Sequence, residues 1–333
     1  MKKKLLFRVD AGDRVGLGHY YRSYNLALAL KREGYLVVFI HKLSSFWAHL
    51  KLLEFDHITL SDSDSNNEMI LYCKQENFWG LYVDGIIDFQ EKDINLLKGI
   101  QVIFYQNLSN SRHFADVFIL PSIHQNASFF KNFDKKRTQI YQGLEYFTFN
   151  AKLNQCNSKE LTIDHEINNI GIICSGSDPK NVMISIYDLI DFERWPNIFF
   201  NFYVGVNYLF EATIPQDSPI NVKFVSYDLI KIASNDLLIS SFGLSTYEFM
   251  SLGMPIISLG HQKTNTFASE YLAKKTDALI HLGFIDDISS EAINHSIKTL
   301  LDDKKLIINF SKKAKKLLDN KGIERIIEII NKL

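Results

Sequence analysis

Cysteine is scarce in this chain. The three present, Cys73, Cys156 and Cys174, are far apart and odd in number, which argues against a disulfide framework or a zinc cluster and fits reduced thiols in a cytoplasmic protein. An excess of either charge is lacking too: 37 basic against 38 acidic side chains leave a net −1, without the basic footprint that nucleic acid requires. No apolar stretch is long enough to span a bilayer. The start Met1-Lys2-Lys3-Lys4 is basic, yet the apolar run behind it is broken at Arg8 and Asp10, far short of a secretory core. There is no short-period repeat and no low-complexity run. Lys312, Lys313, Lys315 and Lys316 read as a solvated helix face, so no stable membrane insertion is expected.

What is there is an ordinary globular composition, 46% apolar and 23% charged, over 333 residues, long enough for two cores. Strand-like and helical segments alternate throughout, the pattern of parallel sheets with helices on both faces. Strands are expected near 5–9, 36–40, 57–60, 81–83, 102–105 and 117–120, with helices such as Ser45–Leu53 and Lys92–Leu97 between them. A polar stretch from Asn150 to Asn169 reads as a linker. A second series follows, with strands near 170–174, 199–204, 222–225, 237–240, 256–259 and 278–282. The expectation is an α/β protein of two doubly wound, Rossmann-like domains, 1–150 and 151–333, facing each other across a cleft.

Ligand-binding signals recur at strand-to-helix turns. In the first half, Leu5-Leu6-Phe7 and Val9 lead into Gly16-Leu17-Gly18-His19, and a helix carries Leu26, Leu28 and Leu30. Glycines permit backbone that a side chain would block, and free N–H groups at a helix start favour an anion. The helix dipole disfavours imidazolium there, so His19 is a candidate general base. Arg22, three residues on, shares its helix face. A plain turn with a histidine cap is the competing reading of this segment taken alone.

The second half repeats the layout at Cys174-Ser175-Gly176-Ser177-Asp178-Pro179. A phosphate or sugar hydroxyl fits there, as does a plain turn capped by Ser177 or Asp178, with Pro179 early in the helix. In Ser240-Ser241-Phe242-Gly243-Leu244-Ser245-Thr246-Tyr247-Glu248, backbone N–H groups with Ser245 and Thr246 suit a pyrophosphate, and Glu248 suits the hydroxyl donors of a ribose diol. His261, Gln262, Thr264 and Asn265 cluster at the next strand-to-helix loop, where polar side chains can read a sugar.

Taken in order, these motifs become specific. Arg8-x-Asp10, Gly16-x-Gly18-His19-x-x-Arg22, Asp84 after a strand, Gly143-Leu144-x-Tyr146, Ser175-Gly176-Ser177-Asp178, and Gly243-x-Ser245-Thr246-x-Glu248 with Gly253-x-Pro255 resemble the UDP-2,4-diacetamido-2,4,6-trideoxy-altropyranose hydrolases of pseudaminic acid biosynthesis and their spore-coat-polysaccharide relatives. The resemblance covers nearly the whole chain. It implies the glycosyltransferase-B (GT-B) fold and a nucleotide-sugar enzyme of surface-glycan synthesis that needs neither metal nor cofactor. It also implies that His19 is the catalytic base, that Asp10, Gly16, Gly18, Arg22, Asp84, Tyr146, His261, Gln262 and Asn265 lie around the sugar, and that Ser175, Gly176, Ser177, Gly243, Ser245, Thr246 and Glu248 hold the nucleotide. The chain departs from the pattern at Gly85-Ile86-Ile87, where a tyrosine is expected, at Tyr105-Gln106-Asn107 in place of paired aspartates, and at His261-Gln262 with Thr264-Asn265 in place of an Asn-Gln pair. These departures fall where the sugar would be recognised.

His19 would deprotonate a hydroxyl attacking the anomeric carbon. If that hydroxyl is water's, the enzyme is a hydrolase, the favoured reading; if it belongs to a glycan acceptor, the enzyme is a metal-independent transferase. A nucleotide-sugar binding protein without activity, and a metal-dependent transferase using Asp62-Ser63-Asp64, are the remaining alternatives.

Overall fold

A computed structural model describes residues 3–11, 18–45 and 54–333. The chain divides into two compact units, one formed by Met1–Ala151 with Asn320–Leu333 and the other by Lys152–Asp319.

The first unit is built on a seven-stranded sheet, ordered β3-β2-β1-β4-β5-β6-β7. Its strands are β1 (Lys4–Val9), β2 (Leu36–Lys42), β3 (Asp56–Leu60), β4 (Gly80–Asp84), β5 (Gln101–Tyr105), β6 (Val117–Leu120) and β7 (Gln139–Gln142), and each pair is parallel. Helices α1 (Gly18–Arg32), α2 (Ser65–Gln75) and α3 (Glu91–Leu96) connect them. Parallel strands are covered on both faces, which is why they read as continuous apolar runs. Leu5, Phe7, Val9, Phe39, Tyr82 and Ile103 pack into the core on one face, and Leu6, Ile40, Leu81, Val83 and Phe104 into that on the other. Strand order reverses between β1 and β4, and loops at such a switch point open a crevice at the carboxyl ends of the strands. The helix expected over Ser45–Leu53 falls almost wholly on residues outside those described.

The second unit has a six-stranded parallel sheet, ordered β10-β9-β8-β11-β12-β13. The strands are β8 (Asn169–Ile173), β9 (Phe199–Val204), β10 (Val222–Ser226), β11 (Leu237–Ser241), β12 (Ile256–Gly260) and β13 (Ile280–Phe284). Helices α4 (Val182–Leu189), α5 (Leu229–Ser234), α6 (Leu244–Ser251), α7 (Lys263–Thr276), α8 (Ser290–Asp302) and α9 (Lys304–Leu317) accompany them. Here the switch point lies between β8 and β11.

One expectation is corrected. The second domain does not run to Leu333: the last helix, α10 (Gly322–Asn331), belongs to the first unit. Ile326, Ile329 and Ile330 on one α10 face are buried in the same cluster as Leu5, Phe7 and Leu26, each worth about 1.5–3 kcal/mol of burial. Gly322 lets the helix start approach Phe147, whose carbonyl oxygen would lie 2.0 Å from an added Cβ. Arg325 Nη1 donates to Glu145 O (2.9 Å) and Tyr35 Oη to Asn331 Oδ1 (2.6 Å).

Candidate active site

At the first unit's switch point, α1 begins with Gly18 and His19 while β4 ends at Asp84. His19 Nδ1 lies 2.7 Å from Asp84 Oδ1. From the next turn of α1, Arg22 Nε donates to Asp84 Oδ2 at 2.7 Å and Nη2 donates to Oδ1, while Ser23 Oγ donates to Oδ2 at 2.7 Å. The spacing of 19, 22 and 23 puts all three side chains on the helix face that meets the end of β4. Arg22 Nη1 completes the group by donating to Gln106 Oε1 (2.7 Å), from a residue just after β5 held at φ +51°.

Asp84 is 0% exposed. Burial alone would raise its pKa, but the Arg22 guanidinium and the His19 imidazole outweigh that and hold the carboxyl at about 2. Arg22 Nη2 also lies 2.7 Å from His19 Nδ1. An ionised carboxylate is the stronger claimant on an Nδ1 proton, so the charges favour Nδ1–H on Asp84 and leave the Nε2 lone pair for chemistry. The His19 side chain is 23% exposed against 0% for Asp84, so of this pair the imidazole is the part a ligand can reach.

This geometry revises two sequence readings. Arg22 and Asp84 are both buried and bonded to each other, to Gln106 and to Ser23, so their polar groups are already engaged in positioning the His19 ring. Asp10 is likewise occupied: Oδ2 accepts from Arg8 Nη2 (2.9 Å) and Oδ1 from the Lys42 N–H (2.9 Å). Gly18 opens α1, and Gly16 lies outside the described residues. The Tyr146 ring meets Tyr141 edge-on at 5.7 Å and its carbonyl accepts from Tyr105 Oη (3.2 Å). Sequence reasoning missed Ser23, and it noted Gln106 only as a departure from the family pattern and Arg8 only as part of a motif, giving neither a role.

In the second unit the two glycine turns differ. At β8–α4, the Asp178 carboxylate accepts from the N–H groups of Val182 (2.9 Å) and Met183 (2.8 Å), so the helix start is capped by the protein's own anion. The capped-turn reading holds there, with Asp178 as cap, and Pro179 precedes the helix instead of sitting in its first turn. Ser175 Oγ accepts from the Asp178 N–H (3.0 Å). Gly176 O accepts from the Asn207 N–H (3.0 Å), and Gly205 packs so close that an added Cβ would lie 2.2 Å from Gly176 O. Ser177 is partly exposed.

At β11–α6, Thr246 is fully buried, its hydroxyl accepting from the Gly243 N–H (3.2 Å) and 3.0 Å from Ser240 Oγ. It builds the turn and is not placed to touch a ligand. Ser245 is partly exposed and hydrogen-bonded to Tyr227, whose phenol is pushed up by burial and by Glu248 nearby. After β12, His261 Nδ1 lies 2.7 Å from Ser241 Oγ, and burial lowers its pKa. Asn265 Oδ1 accepts from the N–H groups of His261 (3.1 Å) and Gln262 (2.8 Å), capping α7. Ser241, His261 and Asn265 thus come together, while Gln262 is exposed.

Asp62 and Asp64 point to separate partners, Asp62 Oδ1 accepting from Ser44 Oγ and Asp64 Oδ2 from Asn67 Nδ2. Among the described residues no three His, Cys, Asp or Glu side chains are grouped to hold a metal ion, and no helix is long and apolar enough to cross a membrane.

No family model matches the chain. Over 342 residues it is 22% identical to the spore coat polysaccharide biosynthesis protein SpsG of Bacillus subtilis, covering 97% of this chain and 96% of that protein. It is 24% identical over 276 residues to an uncharacterized protein of Methanocaldococcus jannaschii, MJ1062, covering 77% of this chain and only 55% of that protein's length. Among solved structures, MurG of Acinetobacter baumannii superposes with a TM-score of 0.67 at 15% identity, over 100% of both chains. The spinosyn forosaminyltransferase SpnP gives a TM-score of 0.72 at 10% identity, over 100% of this chain and 99% of the other. The fold is GT-B. A third GT-B neighbour, the Staphylococcus aureus MnaA–UDP co-structure, gives a TM-score of 0.67 at 13% identity, over 98% of this chain and 96% of the other.

Proposed function

We propose that this GT-B protein cleaves the bond between the anomeric carbon of a sugar and a nucleoside diphosphate, UDP by preference, in the synthesis of a surface polysaccharide. The observation that carries this is the partly exposed His19 imidazole backed by the buried Asp84–Arg22 pair, an arrangement that leaves Nε2 free to accept a proton. His19 Nε2 takes the proton of the attacking hydroxyl, its oxygen bonds to the anomeric carbon, and the carbon–oxygen bond to the diphosphate breaks with the electron pair leaving on that oxygen. Ser245 and the backbone N–H groups of Leu244 and Ser245 at the start of α6 meet the diphosphate, and Glu248 meets the ribose. No metal or other cofactor is required.

Water is the first reading of the attacking hydroxyl, which makes the protein a hydrolase of a UDP-linked acetamido-deoxy sugar, as the motifs suggest. A glycan hydroxyl is the second, and it is favoured by the glycosyltransferases among the structural neighbours. The experiment is to incubate the protein with UDP- and CMP-sugars, with and without candidate acceptors, and follow nucleotide release. Release without acceptor supports hydrolysis and acceptor-dependent release supports transfer. No release from any donor, or full release by His19→Gln, overturns the proposal.

A further inference from the structure

Gln106 and Asn107 follow β5 where the resemblance leads one to expect paired aspartates, and both amides are engaged within the first unit. Asn107 is fully buried. Its Oδ1 accepts from the N–H groups of Ile87 (3.3 Å) and Ser109 (3.1 Å), and its Nδ2 donates to Ile87 O (2.8 Å). The Gln106 N–H donates to Ile119 O of β6 (2.8 Å). Pinned on both sides, Gln106 stands at φ +51°, a left-handed conformation uncommon for a glutamine. Strain kept beside a reactive group points to a task for the side chain.

That task lies in the Arg22 guanidinium. Nε and Nη2 fork onto Asp84 while Nη1 donates to Gln106 Oε1 (2.7 Å), so acceptors on two sides fix the plane of the fork. Nη2 has a rival acceptor in His19 Nδ1, 2.7 Å away. A guanidinium released by Gln106 can turn its N–H onto Nδ1. An Nδ1 that accepts leaves the imidazole proton on Nε2, where it blocks the base.

Charge supplies the second half. Among the described residues, the ionisable groups acting on Arg22 and Asp84 are each other, His19 of α1, Tyr82 of β4 and Tyr105 of β5, whose ring lies 4.9 Å from the guanidinium carbon. Burial pushes the Tyr105 phenol up to about 12 and that of Tyr82 well above its usual value, so both stay neutral. One guanidinium then balances one carboxylate. The neutral amide at 106 leaves that balance alone, whereas a carboxylate there would add negative charge close to the imidazole.

We propose that Gln106 is a positioning residue for the base: its amide oxygen holds the Arg22 fork on Asp84, which keeps the His19 proton on Nδ1, and its neutrality keeps a second negative charge away from the imidazole. The effect on turnover rests on the reading of His19 above, while the placement of the proton does not.

The test is ¹⁵N and ¹H NMR of the His19 ring in the full chain over a pH series, beside UDP release from the donor that the wild type turns over best. Gln106→Met keeps the length and removes the acceptor. Gln106→Glu keeps an acceptor and adds a charge, at a side chain that is partly exposed. The neutral wild-type ring is expected as Nδ1–H. In Gln106→Met the Nε2–H form should become the major one, with release down about tenfold or more and KM within about threefold of the wild type. In Gln106→Glu the Nδ1–H form should return and release should recover most of that loss. Its His19 titration midpoint and the acid limb of its release profile should both rise by about one pH unit. A merely structural role would move the unfolding midpoints of the variants and none of these readings. An Nε2–H ring in the wild type, an unchanged tautomer in Gln106→Met or an unmoved midpoint in Gln106→Glu would each overturn the proposal, and either variant decides it if the other does not fold. The ring signals are readable even if no donor is turned over, a result that would sink the proposed function alone. His19-dependent UDP release with tautomer and midpoint both unmoved would sink this proposal alone.

Discussion

Under the proposed function, Asp84 serves folding and chemistry through the same two oxygens. It anchors Arg22 and Ser23 of α1 to the end of β4 and fixes the ring of His19. Asp84→Asn should lower turnover by roughly 10²–10⁴-fold, because the neutral amide no longer claims the Nδ1 proton or stabilises the imidazolium. UDP affinity should stay near that of the wild type. The same change leaves Arg22 a buried cation without its counter-charge, at a cost of about 3–5 kcal/mol in denaturant unfolding. His41 gives a pH dependence of opposite origin. Burial holds its imidazole at about 4, so below about 6.5 the unfolded chain binds a proton that the folded one refuses. Stability should therefore fall as pH drops from about 6.5 to 4, by up to about 3 kcal/mol, and His41→Asn should flatten that slope in urea titrations at a series of pH values. In the second unit Glu248→Ala should weaken UDP binding more than it slows release, and unchanged calorimetric affinity would remove Glu248 from the ribose.

Among elements, α10 shows what a sequence reveals and what it withholds. The spacing of Ile326, Ile329 and Ile330 announces a buried face, but periodicity does not say against which core it is buried. Only the fold shows that these residues join Leu5 and Phe7, some three hundred positions away. The strands expected at 117–120 and 199–204 match β6 and β9 residue for residue, and the one expected at 102–105 misses only Gln101 of β5, since their central residues are covered on both faces. β7 went unread because Gln139, Ile140, Tyr141 and Gln142 carry only a brief, half-polar signal at the sheet edge. The strand-to-helix turns that carry His19 and open α6 were legible from glycine and hydroxyl spacing. The duty of Asp84 was not, because its burial under a helix 65 residues earlier is a tertiary fact. Ile330→Ala should cost about 2–5 kcal/mol, read in the first unit's unfolding. Gly205→Ala, which drives a methyl into the Gly176 backbone, should destabilise the second unit and leave the first unit's unfolding unchanged.

At the scale of the whole molecule, the two sheets each carry a switch point, and the proposed function divides the labour between them: the base on one unit, the nucleotide on the other. Tryptophans separate the two signals. Trp195 packs against the second core and donates from Nε1 to Asn294 Oδ1 (3.0 Å), whereas Trp79 packs against the first core beside Tyr35. A chain keeping only Trp195, and another keeping only Trp79, each report one unit during denaturant unfolding. UDP at a hundred times its Kd should stabilise the Trp195 transition by about 2.7 kcal/mol, since a ligand that binds only the folded form shifts only the equilibrium it is linked to. The Trp79 transition should stay where it was. A UDP shift confined to Trp79 would move the nucleotide to the first unit and take Ser245 and Glu248 out of its site, whereas equal shifts of both would show that the two units unfold as one.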